Sequence, residues 1–165
     1  MTTLKNKDKY LDKYLIAVIS DTHGLLRPSV SDAFKGADMI LHAGDVCGTS
    51  IIDDLLKIAP VTAVRGNMDG GKWADRLPET EIVEAGDILI YMLHDLNKLD
   101  LDPETAGFNV IINGHTHQPN IEQRENILYL NPGSAGPRRY DYPISAALLE
   151  IKGKSLKPRI IELAP

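Results

Sequence analysis

The sequence contains a single cysteine, Cys47, among its 165 residues. One cysteine excludes an internal disulfide and suits a reducing compartment. Long hydrophobic runs are also absent, because the apolar stretch at residues 14–19 is too short for a membrane span or for the core of a signal peptide. Positive charge is not in excess either, since the net charge is −5. No overall basic field would therefore draw the chain to anionic lipid or to a long nucleic acid.

These absences predict a soluble cytoplasmic protein. Its length and its ordinary share of hydrophobic residues, 43%, favour one domain with a proper core. We place that domain at residues 14–165, behind a solvated N-terminal extension at residues 1–13, and no linker-like segment divides it. Homo-oligomers are common among small proteins of this kind, so self-association stays open.

The first half of the chain alternates between strand-like and helix-like patterns. The helix-like segment at residues 28–35 has a proline at its start and Gly36 just past its end, as helices often do. The predicted order of strand, helix, strand, helix and strand covers residues 14–20, 28–35, 39–41, 50–58 and 61–64. Strands that alternate with helices indicate parallel βαβ units.

The pattern changes in the second half. Residues 80–93 form two strand-like runs around Ala-Gly-Asp, which is a hairpin signal. A polar stretch with helical character follows as far as Gly107, and a strand is predicted at residues 109–112. The last third of the chain has the pattern of an antiparallel meander. The whole predicts an α/β protein with a core of two sheets flanked by helices.

Side chains that can bind metal follow five of the predicted strands. The seven candidates are Asp21, His23, Asp45, Asn67, His94, His115 and His117. Ligands bind at the carboxyl ends of strands in open α/β sheets, so these side chains should converge on one rim. Imidazole, carboxylate and amide groups without a thiolate suit Mn²⁺, Fe²⁺, Zn²⁺, Co²⁺ or Ni²⁺. Seven ligands are too many for one four-coordinate ion, but they suit two ions that share a carboxylate and clamp a phosphoryl group.

Each of these short motifs alone also has a purely structural interpretation. An Asp-x-His can cap a helix, and a Gly-Asp often only turns the chain. A lone histidine such as His94 is more often a hydrogen-bonded residue near the core. The metal site is favoured by the ordered set of five strand ends rather than by any one of them.

The ordered set resembles the calcineurin-like metallophosphoesterase superfamily, whose blocks are D-x-H, G-D, G-N-x-[ED], H and G-H-x-H. The blocks occur here in the same order, at residues 21–23, 44–45, 66–69, 94 and 114–117. The resemblance spans about residues 15–140. The short length and the segment "NPGSAGPRR" at 131–139 point to the small, cap-less YfcE-type phosphodiesterase branch. This resemblance implies a four-layer α/β/β/α sandwich with two mixed β-sheets flanked by helices.

The resemblance also implies two divalent ions, with Mn²⁺ as the first choice and Fe²⁺, Ni²⁺, Co²⁺ or Zn²⁺ as alternatives. One ion would be bound by Asp21, His23 and His117. The other would be bound by Asn67, His94 and His115. Asp45 would bridge the two ions as a shared carboxylate. Residues i and i+2 of an extended segment point in opposite directions. The assignment of His115 and His117 to different ions therefore implies a turned backbone, which Gly114 could permit.

The implied activity is hydrolysis of small phosphodiesters by a hydroxide that bridges the two ions and attacks phosphorus in line. Three residues would carry the reaction: Asp45, Asn67 and His115. Three arginines are candidates for contact with a substrate phosphate through their planar guanidinium groups, with ordinary surface pairing as the alternative: Arg65, Arg138 and Arg139. The implied activity is compatible with a nucleotide-sized diester as the substrate.

Two positions depart from the superfamily pattern. Many phosphomonoesterases have a histidine at the position of Met68 that protonates the leaving oxygen, and its absence favours diesters or activated esters. The alternative is that Met68 simply packs under its loop. Asp95 stands where the superfamily usually has glycine. It could orient a ligand histidine or cap the helix that follows.

Two further residues are expected to support the site without binding metal. His42 lies within the second predicted strand, and we expect it to be buried and hydrogen-bonded. Asp69 is expected to close its own loop by hydrogen bonding.

Two other functions remain as alternatives. The retromer subunit that shares this fold resembles a metallophosphoesterase used as a binding surface, so a non-catalytic scaffold is one of them. Here all seven ligand positions carry competent ligands, which argues against it. A nuclease would use the same chemistry, but a net charge of −5 on 165 residues argues against a track for a long polymer.

Overall fold

The computed structural model describes residues 1–4 and 13–165. Strands in these residues are β1 Thr2–Leu4, β2 Lys13–Ile19, β3 Met39–His42, β4 Val61–Ala63, β5 Thr80–Ala85, β6 Ile88–Leu93, β7 Val110–Ile112, β8 Asn120–Arg124, β9 Ile127–Asn131, β10 Ser145–Lys152 and β11 Ser155–Glu162. The helices are α1 Ser29–Ala33, α2 Thr49–Leu56 and α3 Pro103–Ala106, with single 3₁₀ turns at Ala74–Arg76 and Leu96–Lys98. None of the helices in this part of the chain is long and apolar enough to cross a membrane.

The strands form two mixed sheets. The first has the order β1-β5-β6-β7-β9-β8, and the second has the order β11-β10-β2-β3-β4. Strands β2, β3 and β4 run parallel to one another, and so do β6, β7 and β9. The parallel pairs β2–β3–β4 confirm the βαβ units predicted from the first half of the sequence. They also place the carboxyl ends of these strands at one edge of their sheet.

The two sheets pack face to face, with helices on the outside. Alternation along β2 sends Ile16 and Val18 into the core between the sheets, and sends Ala17 and Ile19 to the outer face. That outer face is covered by α1 and α2 through buried residues such as Val30 and Leu55. On the other side, segment 96–108 covers the first sheet with a smaller apolar cluster. The layers confirm the predicted α/β/β/α sandwich.

The N-terminal residues differ from the expectation of a solvated extension. Thr2–Leu4 form an edge strand that pairs in parallel with β5. Leu4 packs against the core between the sheets, and the amino group of Met1 lies 3.3 Å from a carboxylate oxygen of Glu81. Unpaired backbone groups at the edge of β5 give these residues hydrogen-bond partners that the sequence pattern does not reveal. Of the predicted extension, residues 5–12 lie outside the described residues, and the domain limits 14–165 stay a prediction.

The second half also needs two corrections. The stretch before Gly107 contains only α3 and one 3₁₀ turn. Helix α3 is short because Asp102 caps its start, Pro103 follows, and Gly107 ends it with a φ of 84°. The last third is not one meander: the β8–β9 hairpin belongs to the first sheet and the β10–β11 hairpin to the second. Residues 132–144 connect the two, starting at Pro132-Gly133, where the chain leaves β9.

Candidate metal centre

All seven predicted ligands lie at one rim of the sandwich. They follow the carboxyl ends of β2, β3 and β4 in the second sheet and of β6 and β7 in the first. Each of them is within 3.9 Å of another member through a nitrogen or oxygen atom. The convergence predicted from the strand ends is therefore present. Which ion each residue binds stays a prediction.

The rim is built on strained backbone. Five of the seven residues have positive φ without being glycine: Asp21, His23, Asp45, His115 and His117. Such conformations cost free energy and gather at functional sites, where the surrounding structure holds them. The φ values of 71° at His115 and 62° at His117 confirm that this segment is turned.

Gly114 is needed for a different reason from the one expected. The histidines themselves take up the positive φ values, whereas a Cβ atom at Gly114 would overlap the side chains of Ser20 and Asp21. The glycine therefore makes room for a close approach between the β7 and β2 loops. This approach lets the backbone N–H of His115 donate to Asp21 Oδ2 at 3.1 Å.

The first group of donors surrounds Asp21. Its Oδ1 atom lies 3.3 Å from His117 Nε2 and 3.8 Å from His23 Nε2. The two Nε2 atoms are 3.3 Å apart. Asp21 Oδ1 is buried and accepts no hydrogen bond, although Oδ2 is held by Ser20 Oγ at 2.6 Å. A buried carboxylate oxygen without a partner, facing two imidazole nitrogens, is the arrangement that a cation would complete.

The second group surrounds Asn67. Its Oδ1 atom lies 3.0 Å from His94 Nε2 and 3.0 Å from His115 Nδ1. The tautomer of His94 follows from its other nitrogen, because Nδ1 donates to the carbonyl oxygen of Ala43 at 2.7 Å. In the neutral ring, Nε2 then carries a lone pair and faces the oxygens of the site.

Asp45 lies between the two groups. Its Oδ2 atom is 3.3 Å from His94 Nε2 and 3.7 Å from His23 Nε2. Its Oδ1 atom accepts the backbone N–H of Met68 at 2.8 Å, which fixes the carboxylate plane. One carboxylate oxygen is thus within reach of a histidine from each group, as a bridging ligand requires.

The electrostatics favour ionised carboxylates. Burial raises the pKa of the Asp21 carboxyl, but the nearby imidazole of His117 and the hydrogen bond from Ser20 outweigh it and hold the pKa below its usual value. For Asp45, burial is likewise outweighed by the nearby imidazole of His94 and the hydrogen bond from the Met68 N–H, so its pKa is also lowered. Two carboxylates, one amide oxygen and four imidazole rings form a donor set without thiolates. This set fits divalent cations such as Mn²⁺ or Zn²⁺.

Asp69 and His42 have the supporting roles expected of them. Asp69 is buried, and its two oxygens accept the backbone N–H groups of Cys47 and Gly66, each at 2.8 Å. His42 is also buried, with Nδ1 accepting the N–H of Gly44 and Nε2 lying 2.9 Å from Thr22 Oγ1. Neither side chain belongs to the donor set.

Burial lowers the pKa of His42 to about 4, so this ring is neutral in the folded protein at neutral pH. The unfolded chain binds the proton below about pH 6.5, and stability is therefore lost as pH falls from there toward 4. For the metal-free protein in EDTA, we expect His42 to contribute about 2 kcal/mol to the loss of unfolding free energy between pH 7.5 and pH 5. Urea unfolding of wild type and His42→Gln measures this. Equal pH dependence of the two proteins would contradict it.

The two departures from the superfamily pattern are resolved in different ways. Met68 is 58% exposed, so it does not pack under its loop. Asp95 caps the turn that follows it, whereas its role in orienting a ligand histidine stays a prediction. Its Oδ1 atom caps the 3₁₀ turn by accepting the N–H of Asn97 at 3.0 Å, and Oδ2 lies 3.9 Å from His115 Nε2.

The three candidate arginines are not equivalent. Arg65 lines a cleft of about 570 Å³ next to Asn67 and His94, where its Nε donates to the carbonyl oxygen of Asp69 at 3.3 Å. Arg139 is exposed on the segment that follows β9. Arg138 lines a separate groove with carboxylates and prolines of the C-terminal segment. The structure therefore places Arg65 beside the donor set and Arg138 in another groove, and contact of any of the three arginines with a substrate stays a prediction.

Asn131 at the end of β9 and Ser134 in the segment after it were not singled out from the sequence. Asn131 Nδ2 donates to the carbonyl oxygen of Gly114 and to Thr116 Oγ1, each at 3.0 Å, and so holds the loop that carries His115 and His117. Ser134 Oγ donates to the carbonyl oxygen of Asp21 at 3.0 Å. The signal was the Asn-Pro-Gly-Ser sequence at the end of a strand, which marks an ordered turn.

Comparison with known families agrees with this geometry. Residues 14–154 match the calcineurin-like phosphoesterase superfamily domain. This chain therefore belongs to the calcineurin-like phosphoesterase superfamily, whose members use divalent metal ions. It is a metallophosphoesterase by family.

Three relatives show how far the likeness extends. A probable metallophosphoesterase of Methanocaldococcus jannaschii is 44% identical over 133 residues, which are 73% of this chain and 67% of that protein. A phosphodiesterase of the same organism is 27% identical over 137 residues, which are 72% of this chain and 82% of that protein. The solved structure of vacuolar protein sorting 29 from Cryptosporidium parvum has a TM-score of 0.74 and 20% identity, covering 93% of this chain and 99% of that one. This last likeness concerns the fold alone.

Proposed function

We propose that the chain is a dinuclear metal-dependent phosphodiesterase that hydrolyses small phosphodiesters. The observation that carries this proposal is the position of Asp45 Oδ2, within 3.7 Å of histidines from both donor groups. Asp21, His23 and His117 would hold one ion, and Asn67, His94 and His115 the other. Two bound divalent ions would lower the pKa of water and offset charge on a phosphate ester.

Residues of the chain itself would position the metal donors and shape the cleft for the substrate. Asp45 helps to hold the two donor groups at a fixed separation. Its Oδ1 atom accepts a hydrogen bond from the Met68 N–H, while Oδ2 faces the histidines. The adjoining cleft, about 570 Å³, has the size of a pocket for a small ligand. Arg65 lines this cleft and carries a planar charge suited to a phosphate. The phosphodiesterase of M. jannaschii among the relatives supports a diester as the substrate.

The test is hydrolysis of bis-p-nitrophenyl phosphate and p-nitrophenyl phosphate by the metal-stripped protein after addition of single ions. Mn²⁺ is the first ion to add, followed by Ni²⁺, Co²⁺, Fe²⁺ and Zn²⁺. We expect metal-dependent cleavage of the diester, with two ions bound per chain by elemental analysis. Absence of turnover with every ion, in a protein that binds two ions, would instead favour the scaffold function.

The position of Met68 leads to a prediction about substrate choice. The side chain is exposed at the rim, and its backbone N–H is bonded to Asp45, so a histidine there has room and lies near the site. A general acid contributes about 10²–10⁴-fold when the leaving group is poor. We expect Met68→His to raise kcat/KM for an alkyl phosphomonoester by at least about tenfold. Met68→Gln is the matched control without a titratable proton. An unchanged ratio of monoester to diester cleavage would count against the proposed role.

A further inference from the structure

Cys47 lies beside the donor set without belonging to it. It follows Asp45 by two residues and has a φ of 60°, and its backbone N–H is held by the buried carboxylate of Asp69 at 2.8 Å. This anchored, left-handed position directs the side chain toward His23, whose Nδ1 atom is 3.7 Å from Cys47 Sγ. The thiol is half-buried at this contact.

His94 and His23, which belong to different donor groups, have different neighbours at their Nδ1 atoms. His94 Nδ1 donates to a backbone carbonyl, that of Ala43. His23 Nδ1 faces a thiol sulfur, and its Nε2 atom points to the carboxylates of Asp21 and Asp45. For Nε2 of His23 to bind a cation, the proton of the neutral ring must lie on Nδ1.

The thiol can hold that proton in place because it has a partner of its own. Cys47 Sγ lies 3.8 Å from the carbonyl oxygen of Met68, to which its S–H can donate. The sulfur is then free to accept from His23 Nδ1–H, because a thiol is both a weak donor and a weak acceptor. The Met68 N–H in turn donates to Asp45 Oδ1. A continuous set of contacts therefore connects His23 to the bridging carboxylate through Cys47 and the Met68 peptide groups.

We propose that Cys47 is a positioning residue that fixes His23 in its Nδ1–H tautomer and so presents His23 Nε2 to one of the two metal positions. This inference rests on the proposed function only in its use of a metal at His23. Groups that hold the outer nitrogen of a ligand histidine affect metal affinity by about 10–100-fold. Because His94 has a separate partner, the effect of Cys47 falls mainly on the metal position that includes His23.

The first experiment reads the tautomer directly. Long-range ¹H–¹⁵N NMR of the metal-free protein at pH 8 distinguishes the two neutral forms of each ring, and a His23→Gln variant assigns the His23 signal. His94, with Nδ1 bonded to a carbonyl, and His42, with Nδ1 accepting an N–H, serve as internal references of opposite tautomer. We expect Nδ1–H for His23 in the wild type and in Cys47→Ser, and a mixture of tautomers in Cys47→Ala. A His23 tautomer that is not Nδ1–H, or that does not change in Cys47→Ala, would overturn the proposal.

The second experiment measures metal binding by titration calorimetry with Mn²⁺. In Cys47→Ala we expect one of two binding steps to weaken by about 10–100-fold, and in Cys47→Ser we expect both steps to stay near wild type. Ser50→Ala, at an exposed hydroxyl in the first turn of the α2 helix that follows Cys47, is the matched control. Equal weakening of both steps, or of neither, would contradict a specific role at His23. If these shifts occur in a protein that cleaves no diester, the proposed activity fails and the role of Cys47 stands.

Discussion

Asp45→Asn is expected to reduce kcat/KM for bis-p-nitrophenyl phosphate by about 10³-fold, which corresponds to about 4 kcal/mol of transition-state stabilisation. The substitution keeps the size of the side chain and an oxygen that can accept the Met68 N–H. It removes the negative charge that faces His23 and His94, and it can place an N–H where a lone pair is needed. The metal content should fall from two ions toward one, because the shared ligand is lost. Steady-state kinetics and elemental analysis of the same sample measure both effects.

A matched control separates charge loss at the site from charge loss in general. Asp53 is exposed on α2, and Asp53→Asn also lowers the negative charge by one. We expect this variant to keep wild-type activity and two ions per chain. If Asp45→Asn retained full rate with two ions bound, Asp45 would not be the shared ligand, and the dinuclear assignment would have to be abandoned.

Gly66→Ala is expected to lower the free energy of unfolding by about 3 kcal/mol and to abolish metal binding. A Cβ atom at this position would overlap the backbone nitrogen and the Oδ1 atom of Asp45. Backbone atoms cannot move aside as the end of a long side chain can, so the β3 and β4 loops would have to separate. Separation would also weaken the hydrogen bond from the Gly66 N–H to Asp69 Oδ2.

Gly70 provides the control within the same loop. A Cβ atom at Gly70 would meet no atom within 4 Å, and its φ is not positive. We expect Gly70→Ala to change stability by no more than about 0.5 kcal/mol and to bind metal normally. Urea unfolding and elemental analysis of the pair test the steric argument. A Gly66→Ala variant as stable as Gly70→Ala, with two ions bound, would show that the loops have more room than the structure indicates.

The donor set could be predicted because its signal is local. Each ligand follows a strand within a few residues, as Asp45 follows β3 and Asn67 follows β4, and parallel strands bring their carboxyl ends to one edge. The apolar runs that define these strands are short and continuous, so they are visible in the sequence. The same locality made Asp69 predictable, since it bonds back to Gly66 three residues away.

The contacts around the donor set could not be predicted because they join loops that are distant in sequence. Asn131 holds the backbone of Gly114, and Cys47 faces His23, across separations of 17 and 24 residues. The N-terminal strand is a similar case, because Thr2–Leu4 carry no strong strand pattern and are ordered by the free edge of β5. Arg138 and Arg139 are neighbours in sequence, yet Arg138 lines a groove away from the donor set.

The sequence by itself determined the class of site: which residue types follow the strands, in what order, and that they suit divalent cations and phosphate esters. Only the tertiary structure decided how these residues meet. Asp21, Asp45 and His115 adopt positive φ in the folded chain, and the places of Gly66 and Gly114 are set by atoms of other loops. The physical reason is that ligand type is a property of single residues, whereas distances of 3–4 Å between their atoms depend on packing of the whole chain.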